Sequence, residues 1–274
     1  EPRCGVPDNG TRHCSFVSLQ GDNVRYRTGT GSSIRHKGAS FLLGGALDTE
    51  NRLGTLTAGL FVESGLGNYD SHGRFSRGDG DTRHHGLGAF ARQTFANRFY
   101  LEGAIRLGRA RIDYGGKGSA ADLRYRSEAN YRGAHVGAGY DHPLNETDSL
   151  DTHVRLLWTR QDSDKVKTHA GERLSFDTAD SLRSRLGARY RRVVDKTLRA
   201  HVGLGWEYEF DGRGRGRLDG ARIAGEPETR GHSALIEAGV EWAMTKSWRL
   251  NANANALFGQ RKGLGGFVQA SYRF

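Results

Sequence analysis

Proline is scarce: 4 residues in 274, against 40 glycines. That balance excludes collagen-like and proline-rich linker sequences. Long apolar runs are absent. The longest, Ala39 to Leu47, is half glycine and small residues, far short of the ~18–20 residues a membrane helix needs. A helical membrane protein is thereby excluded. A membrane β-barrel is not, because it shows only alternate residues to lipid and looks hydrophilic on average. Methionine occurs once, at Met244, and the chain opens at Glu1, so it reads as a trimmed piece of a longer protein. Lysine is scarce too, with 7 among the 41 basic residues, so the net charge of +10 is an arginine charge. The mean hydropathy is −0.66. Cysteine is limited to Cys4 and Cys14. An even pair at short spacing, without Cys-x-x-Cys, points to one disulfide in an oxidising compartment; two free thiols are the alternative.

What the chain has in abundance is period-2 alternation. Trp248, Leu250, Ala252, Ala254, Ala256 and Phe258 alternate with Arg249, Asn251, Asn253 and Asn255. A strand separates such sets onto opposite faces, whereas a helix mixes them. The same pattern runs through Val202–Phe210, Leu182–Tyr190, Phe99–Leu107, Val154–Trp158 and Ala134–Tyr140. The polar sets hold Arg, Glu, His and Asn mixed with glycine, as expected where a wet lumen is lined and opposite charges pair across it. Arg183, Arg185, Arg189, Glu207, Glu209, Glu237, Glu241, Asn251 and Asn253 are the expected bore-lining residues. Glycines on that face, such as Gly86, Gly88, Gly137, Gly139, Gly203 and Gly205, leave room for large inward side chains opposite.

The breaks alternate between short turns (Asp48–Asn51, Ala96–Asn97, Val194–Thr197, Thr245–Ser247) and longer loops (Asp70–Asp81, Tyr114–Asp122, Gln161–Leu174, Asp211–Gly231). Outer-membrane barrels connect their strands in this way. The expected fold is all-β: a transmembrane antiparallel up-and-down β-barrel of about twelve strands, some extending beyond the membrane. Residues 1–14 read as an irregular lead-in, with Pro2, Gly5, Pro7 and Gly10, and 15–274 as the barrel. Trp158, Trp206, Trp242, Trp248, Tyr100, Tyr140, Tyr190, Tyr208 and Tyr272 fit aromatic girdles at the lipid boundaries.

The chain closes on Val268, Ala270, Tyr272 and Phe274 along one face of a last strand, and the terminal Phe resembles the signal read by the outer-membrane assembly machinery. Three stretches carry a wider resemblance. Gly38–Leu47 with Gly59–Gly65, Gly203–Gly212 with its Glu-Tyr-x-Phe-Asp-Gly ending, and Gly259–Phe274 resemble the early strands, middle signature and closing hairpin of the autotransporter translocator barrel of type V secretion. The resemblance implies insertion in the bacterial outer membrane, a covalently linked N-terminal passenger carried to the cell surface, contact with outer-membrane lipid and lipopolysaccharide, a monomer, and no enzymatic activity. The family's pore-plugging helix is not matched by the Pro- and Gly-containing lead-in.

Competing readings are an omptin-like outer-membrane hydrolase and a simple diffusion porin. His84 and His85, beside Asp79 and Asp81, are the hydrolase's best candidates, but adjacent strand residues point to opposite faces. The Gly212–Arg217 run resembles an RNA-binding basic tract and reads here as an outer loop near lipopolysaccharide phosphates. With no phosphate loop, metal-ligand spacing or nucleophile motif, the expectation is no cofactor, no metal and no nucleic acid.

Overall fold

A computed structural model describes Cys4 and residues 10–28, 32–72, 76–118, 123–222 and 228–274. Pro2, Gly5, Pro7 and Pro227 lie outside the described residues. Among the described residues sixteen strands follow in chain order: β1 (Thr11–Arg27), β2 (Ser33–Asn51), β3 (Gly54–His72), β4 (Ser76–Phe95), β5 (Phe99–Gly118), β6 (Leu123–Pro143), β7 (Asp148–Gln161), β8 (Asp164–Lys167), β9 (Arg173–Phe176), β10 (Ala179–Val193), β11 (Leu198–Gly212), β12 (Gly216–Leu218), β13 (Ala221–Arg222), β14 (Gly231–Ala243), β15 (Trp248–Gly259) and β16 (Arg261–Arg273). Twelve of them close a barrel in the order β1-β16-β15-β14-β11-β10-β7-β6-β5-β4-β3-β2. The closing seam is antiparallel and runs from Cys14 opposite Arg273 to Tyr26 opposite Arg261. Closure leaves no unpaired edge, which is what lets strands cross hydrocarbon.

The alternation seen in the sequence sorts side chains cleanly. Leu60, Ile105, Val136, Leu204 and Leu264 point outward and are 60–69% exposed. So large an apolar surface has no place in water; it is the lipid face. The opposite face carries the charges and glycines. Trp206, Trp242 and Trp248 are also outward and exposed. Tyr100 departs from the girdle expectation: it faces inward and is 1% exposed, because it shares the inward parity of Glu102, its neighbour two residues on.

Each short turn is tied by a side-chain oxygen that accepts backbone N–H groups ahead of it, the local bond that favours Asn, Asp and Thr in turns. Asn51 accepts from Leu53, Asn97 from Phe99, Asn145 from Thr147 and Asp148, Asp195 from Thr197 and Leu198, and Thr245 from Ser247 and Trp248. At Asp195, outside the membrane-spanning band, the Thr197 and Leu198 bonds hold the carboxyl below its ordinary range.

Several strand ends differ from expectation. β1 starts at Thr11, ahead of the expected Ser15. The segments Asp70–Asp81 and Tyr114–Asp122 are largely strand, since β3, β4 and β5 continue as ribbons past the lipid band. Gln161–Leu174 and Asp211–Gly231 are not open loops: they contribute β8, β9, β12 and β13 to a small sheet in the order β13-β12-β9-β8. Neither segment shows long period-2 alternation, and their pairing is between distant parts of the chain, Gly216 opposite Phe176. Phe176 stacks on Tyr125, and Tyr125, Tyr114 and Tyr69 form a ring-on-ring column along the inner side of the ribbons.

Candidate functional site: the charged bore

The inner faces enclose a cavity of ≈ 900 Å³. Its wall is built on an alternation of long charged side chains and glycines. Arg155 on β7 lies opposite Gly137 on β6, and Gly137 lies opposite Glu102 on β5. A Cβ at Gly137 would sit 3.0 Å from the Arg155 side chain and 3.1 Å from Glu102. The missing methyl therefore opens a lane by which Arg155 reaches across one strand to Glu102. Arg92 joins Glu102 from the other side at 3.1 Å. The same device joins Arg189 to Glu237 across Gly203 at 2.7 Å. It also lets Tyr100 pass Gly139 to donate to Asp151 at 3.1 and 3.2 Å. Tyr131 crosses two glycine positions, Gly108 and Gly86, to donate to Glu63 at 2.6 Å.

Of the residues expected in the bore, Arg185 donates to Glu207 at 2.7 Å, and Arg261 reaches the same carboxylate at 2.8 Å. Glu207 is 1% exposed; two guanidiniums offset the desolvation of one buried carboxylate. Arg183 binds Glu209 at 3.1 Å, and Ser181 donates to it at 2.8 Å. Glu241 faces Arg249 at 3.7 Å. Asn253 meets His201 at 3.1 Å, and Asn251 lines the cavity beside it. Arg92, Glu102, Asp151, His153, Arg155 and Arg261 were not singled out from the sequence. Glu102 lies on the polar face of an alternating strand, so a parity count could have found it. Its partners depend on register.

Cys4 is bonded to Cys14. Cys4 is 2% exposed and packs with Cys14, Phe16, Ala46 and Phe90, against Phe61 and Ala104. The strand residues among these are inward-facing, so Cys4 sits inside the barrel. At the C-terminus, Val268, Ala270 and Tyr272 face outward. Tyr272 packs between Trp248 and Phe274, with ring centres at 5.1 and 5.2 Å, and the Phe274 N–H donates to the His13 carbonyl at 3.2 Å.

The hydrolase candidates separate. His84 faces inward against the Tyr131 ring, while His85 is exposed on the outer face. Among the described residues no group of three or more His, Cys, Asp or Glu side chains is placed to hold a metal ion. The Gly212–Arg217 run is partly strand β12, and Arg213 pairs with Glu228 at 3.5 Å.

Three comparisons bear on this architecture. The barrel superposes on the translocator domain of the autotransporter NalP from Neisseria meningitidis with a TM-score of 0.73 at 19% identity, covering 97% of this chain and 90% of that one. It superposes on the beta domain of the Bordetella autotransporter BrkA with a TM-score of 0.74 at 15% identity, covering 97% and 100%. These likenesses are of fold. In sequence, the chain is 27% identical over 229 residues to the BrkA autotransporter of Bordetella pertussis, covering 80% of this chain and 22% of that protein. It thus spans about a fifth of the length of that relative. The model of the autotransporter beta-domain matches residues 15–255. An outer-membrane barrel of translocator type, this chain belongs to the autotransporter beta-domain family.

Proposed function

We propose that this barrel supports passage of a covalently linked N-terminal passenger to the cell surface, making and breaking no bond itself. The observation that carries the reading is the place of Cys4. Cys4, ahead of the first strand, lies inside the bore and is bonded to Cys14 on the inward face of β1, so a passenger joined N-terminally would thread the lumen. Arg183, Arg185, Arg189, Glu207, Glu209, Glu237, Glu241, Asn251 and Asn253 would then line the path. Their charges are mostly satisfied by one another. A wall of paired charges stays hydrated without gripping a passing chain of either sign. Short turns on the periplasmic side and ribbons outside fit the topology of such barrels. Val268, Ala270, Tyr272 and Phe274 would present the outward edge pattern to the assembly machinery.

The test is surface delivery. An epitope-tagged reporter is joined ahead of Glu1, behind a secretion signal, and whole cells are treated with protease. The tag should be cleaved in intact cells that carry heat-modifiable barrel. A tag protected in such cells, beside correctly folded barrel, refutes the reading. A plain porin would instead show steady large conductance in planar bilayers with no passenger attached.

A further inference from the structure

Across strands β4 to β7 the outer surface of the barrel sorts its ionisable residues by height. On β4 the outward positions run Leu87, His85, Arg83 and then Asp81; on β5 they run Leu107, Arg109, Arg111 and then Asp113. On β6 Arg132 precedes Glu128, and on β7 Trp158 is followed by Arg160. On each of these neighbouring strands the first outward ionisable residue beyond the apolar band is of a basic type, and the strand's own acids come only farther out. A merely solvated ribbon would mix the signs.

Register makes the sorting unfavourable by itself. Arg83 lies opposite Arg111 and Arg132 opposite Arg160. Like charges directly opposite destabilise a sheet. Some of the tier is compensated: Arg111 by Asp113 and Glu128 at 3.5 and 3.7 Å, Arg132 by Asp162 at 2.8 Å, and Arg160 by Asp180 on β10 at 3.9 Å. Arg83 and Arg109 are exposed and enter no ion pair among the described residues. Two guanidiniums outside any ion pair thus stand on diagonal positions of adjacent strands, next to Leu66 and just above Leu87 and Leu107, which are 67%, 60% and 55% exposed.

We propose that Arg83, His85, Arg109 and Arg111, flanked by Arg132 and Arg160, form a binding site for the phosphate groups of an anionic lipid in the leaflet at the long-loop end. The lipid's acyl chains would cover the leucines below. The height matches, because lipid phosphates lie at the edge of the hydrocarbon. The chemistry matches, because the guanidinium fork takes phosphate oxygens in pairs. The repulsion between facing arginines becomes attraction once an anion lies between them. The site is on the outside of the wall and does not depend on what passes through the bore.

The experiment uses the folded chain in neutral detergent, with native mass spectrometry across a titration of diphosphoryl lipid A, its dephosphorylated analogue and phosphatidylcholine. The chain should retain the diphosphoryl lipid and neither of the others. Each arginine at such a surface changes affinity about fivefold, so Arg83→Gln with Arg109→Gln should weaken retention about 25-fold. Lys196→Gln, in a short turn at the opposite end, should leave it unchanged. Heat-modifiable mobility confirms that each variant is folded. Equal retention of the dephosphorylated lipid, undiminished binding by the folded double variant, or an equal loss in Lys196→Gln overturns the proposal. Displacement of the lipid by excess inorganic phosphate would assign the site to free anions and overturn it as well.

Discussion

Replacing Gly187 by alanine tests the lanes that organise the bore. Gly187 on β10 lies opposite His153 on β7. A Cβ there would stand 2.5 Å from His153 Nε2 and 2.7 Å from Cε1, with no backbone atom in the close set. Real Cβ contacts do not go that short, so the ring must move. It has little room: its side chain is 5% exposed, and Nδ1 sits 2.8 Å from Asp151, which also takes Tyr100 and Arg191. Overpacking of this kind costs about 1–3 kcal/mol. Losing the histidine's bond to a buried carboxylate adds about 1.5–3 kcal/mol. The expected destabilisation is about 2.5–6 kcal/mol, read as a shift in the urea midpoint of the heat-modifiable band after refolding in vesicles. In a His153→Ala background the obstacle is gone. Gly187→Ala should then be neutral or stabilise by about 0.5–1 kcal/mol through the unfolded chain's lost freedom. The double-mutant cycle isolates the coupling. Gly115→Ala, at a position with nothing within 4 Å, serves as control. If Gly187→Ala destabilises the protein equally with and without His153, the lane argument is wrong.

Further outcomes follow from the same wall. Glu207→Ala leaves Arg185 and Arg261 facing each other without their shared carboxylate and should destabilise the barrel by about 3–5 kcal/mol in the same assay; a change under about 1 kcal/mol would contradict the buried pairing. In a background lacking Cys4 and Cys14, Asn251→Cys and Asn253→Cys should react with small aqueous thiol reagents in membranes, whereas Ala252→Cys and Ala254→Cys should not. Equal labelling of both sets would sink the assignment of faces. Deleting Phe274, which is 77% exposed and packed on Tyr272, should reduce heat-modifiable barrel in outer membranes; unchanged assembly would remove it from the signal.

Much of this was readable from residue order because a strand's period is local. Alternation from Trp248 to Phe258 decides, without reference to any other strand, that Asn251 and Asn253 share one face and Ala252 and Ala254 the other. Turn chemistry is equally local: Asn51, Asn97 and Asp195 act on N–H groups within three residues. Hence the barrel, its short turns and its charged face could be expected before any coordinates. Tyr100 shows the limit. Its residue type fits a lipid girdle; its parity puts it inside.

What only the tertiary structure decided is who meets whom across strands. Arg155 and Glu102 are 53 residues apart and meet because Gly137 falls between them in register. Two residues of slip would keep every face and break that pair. The small sheet of β8, β9, β12 and β13 was likewise invisible, since strands of two to four residues carry too little alternation to register. Faces follow from the order of neighbours along the chain. Partners follow from register, which is set by pairing over the whole closed wall.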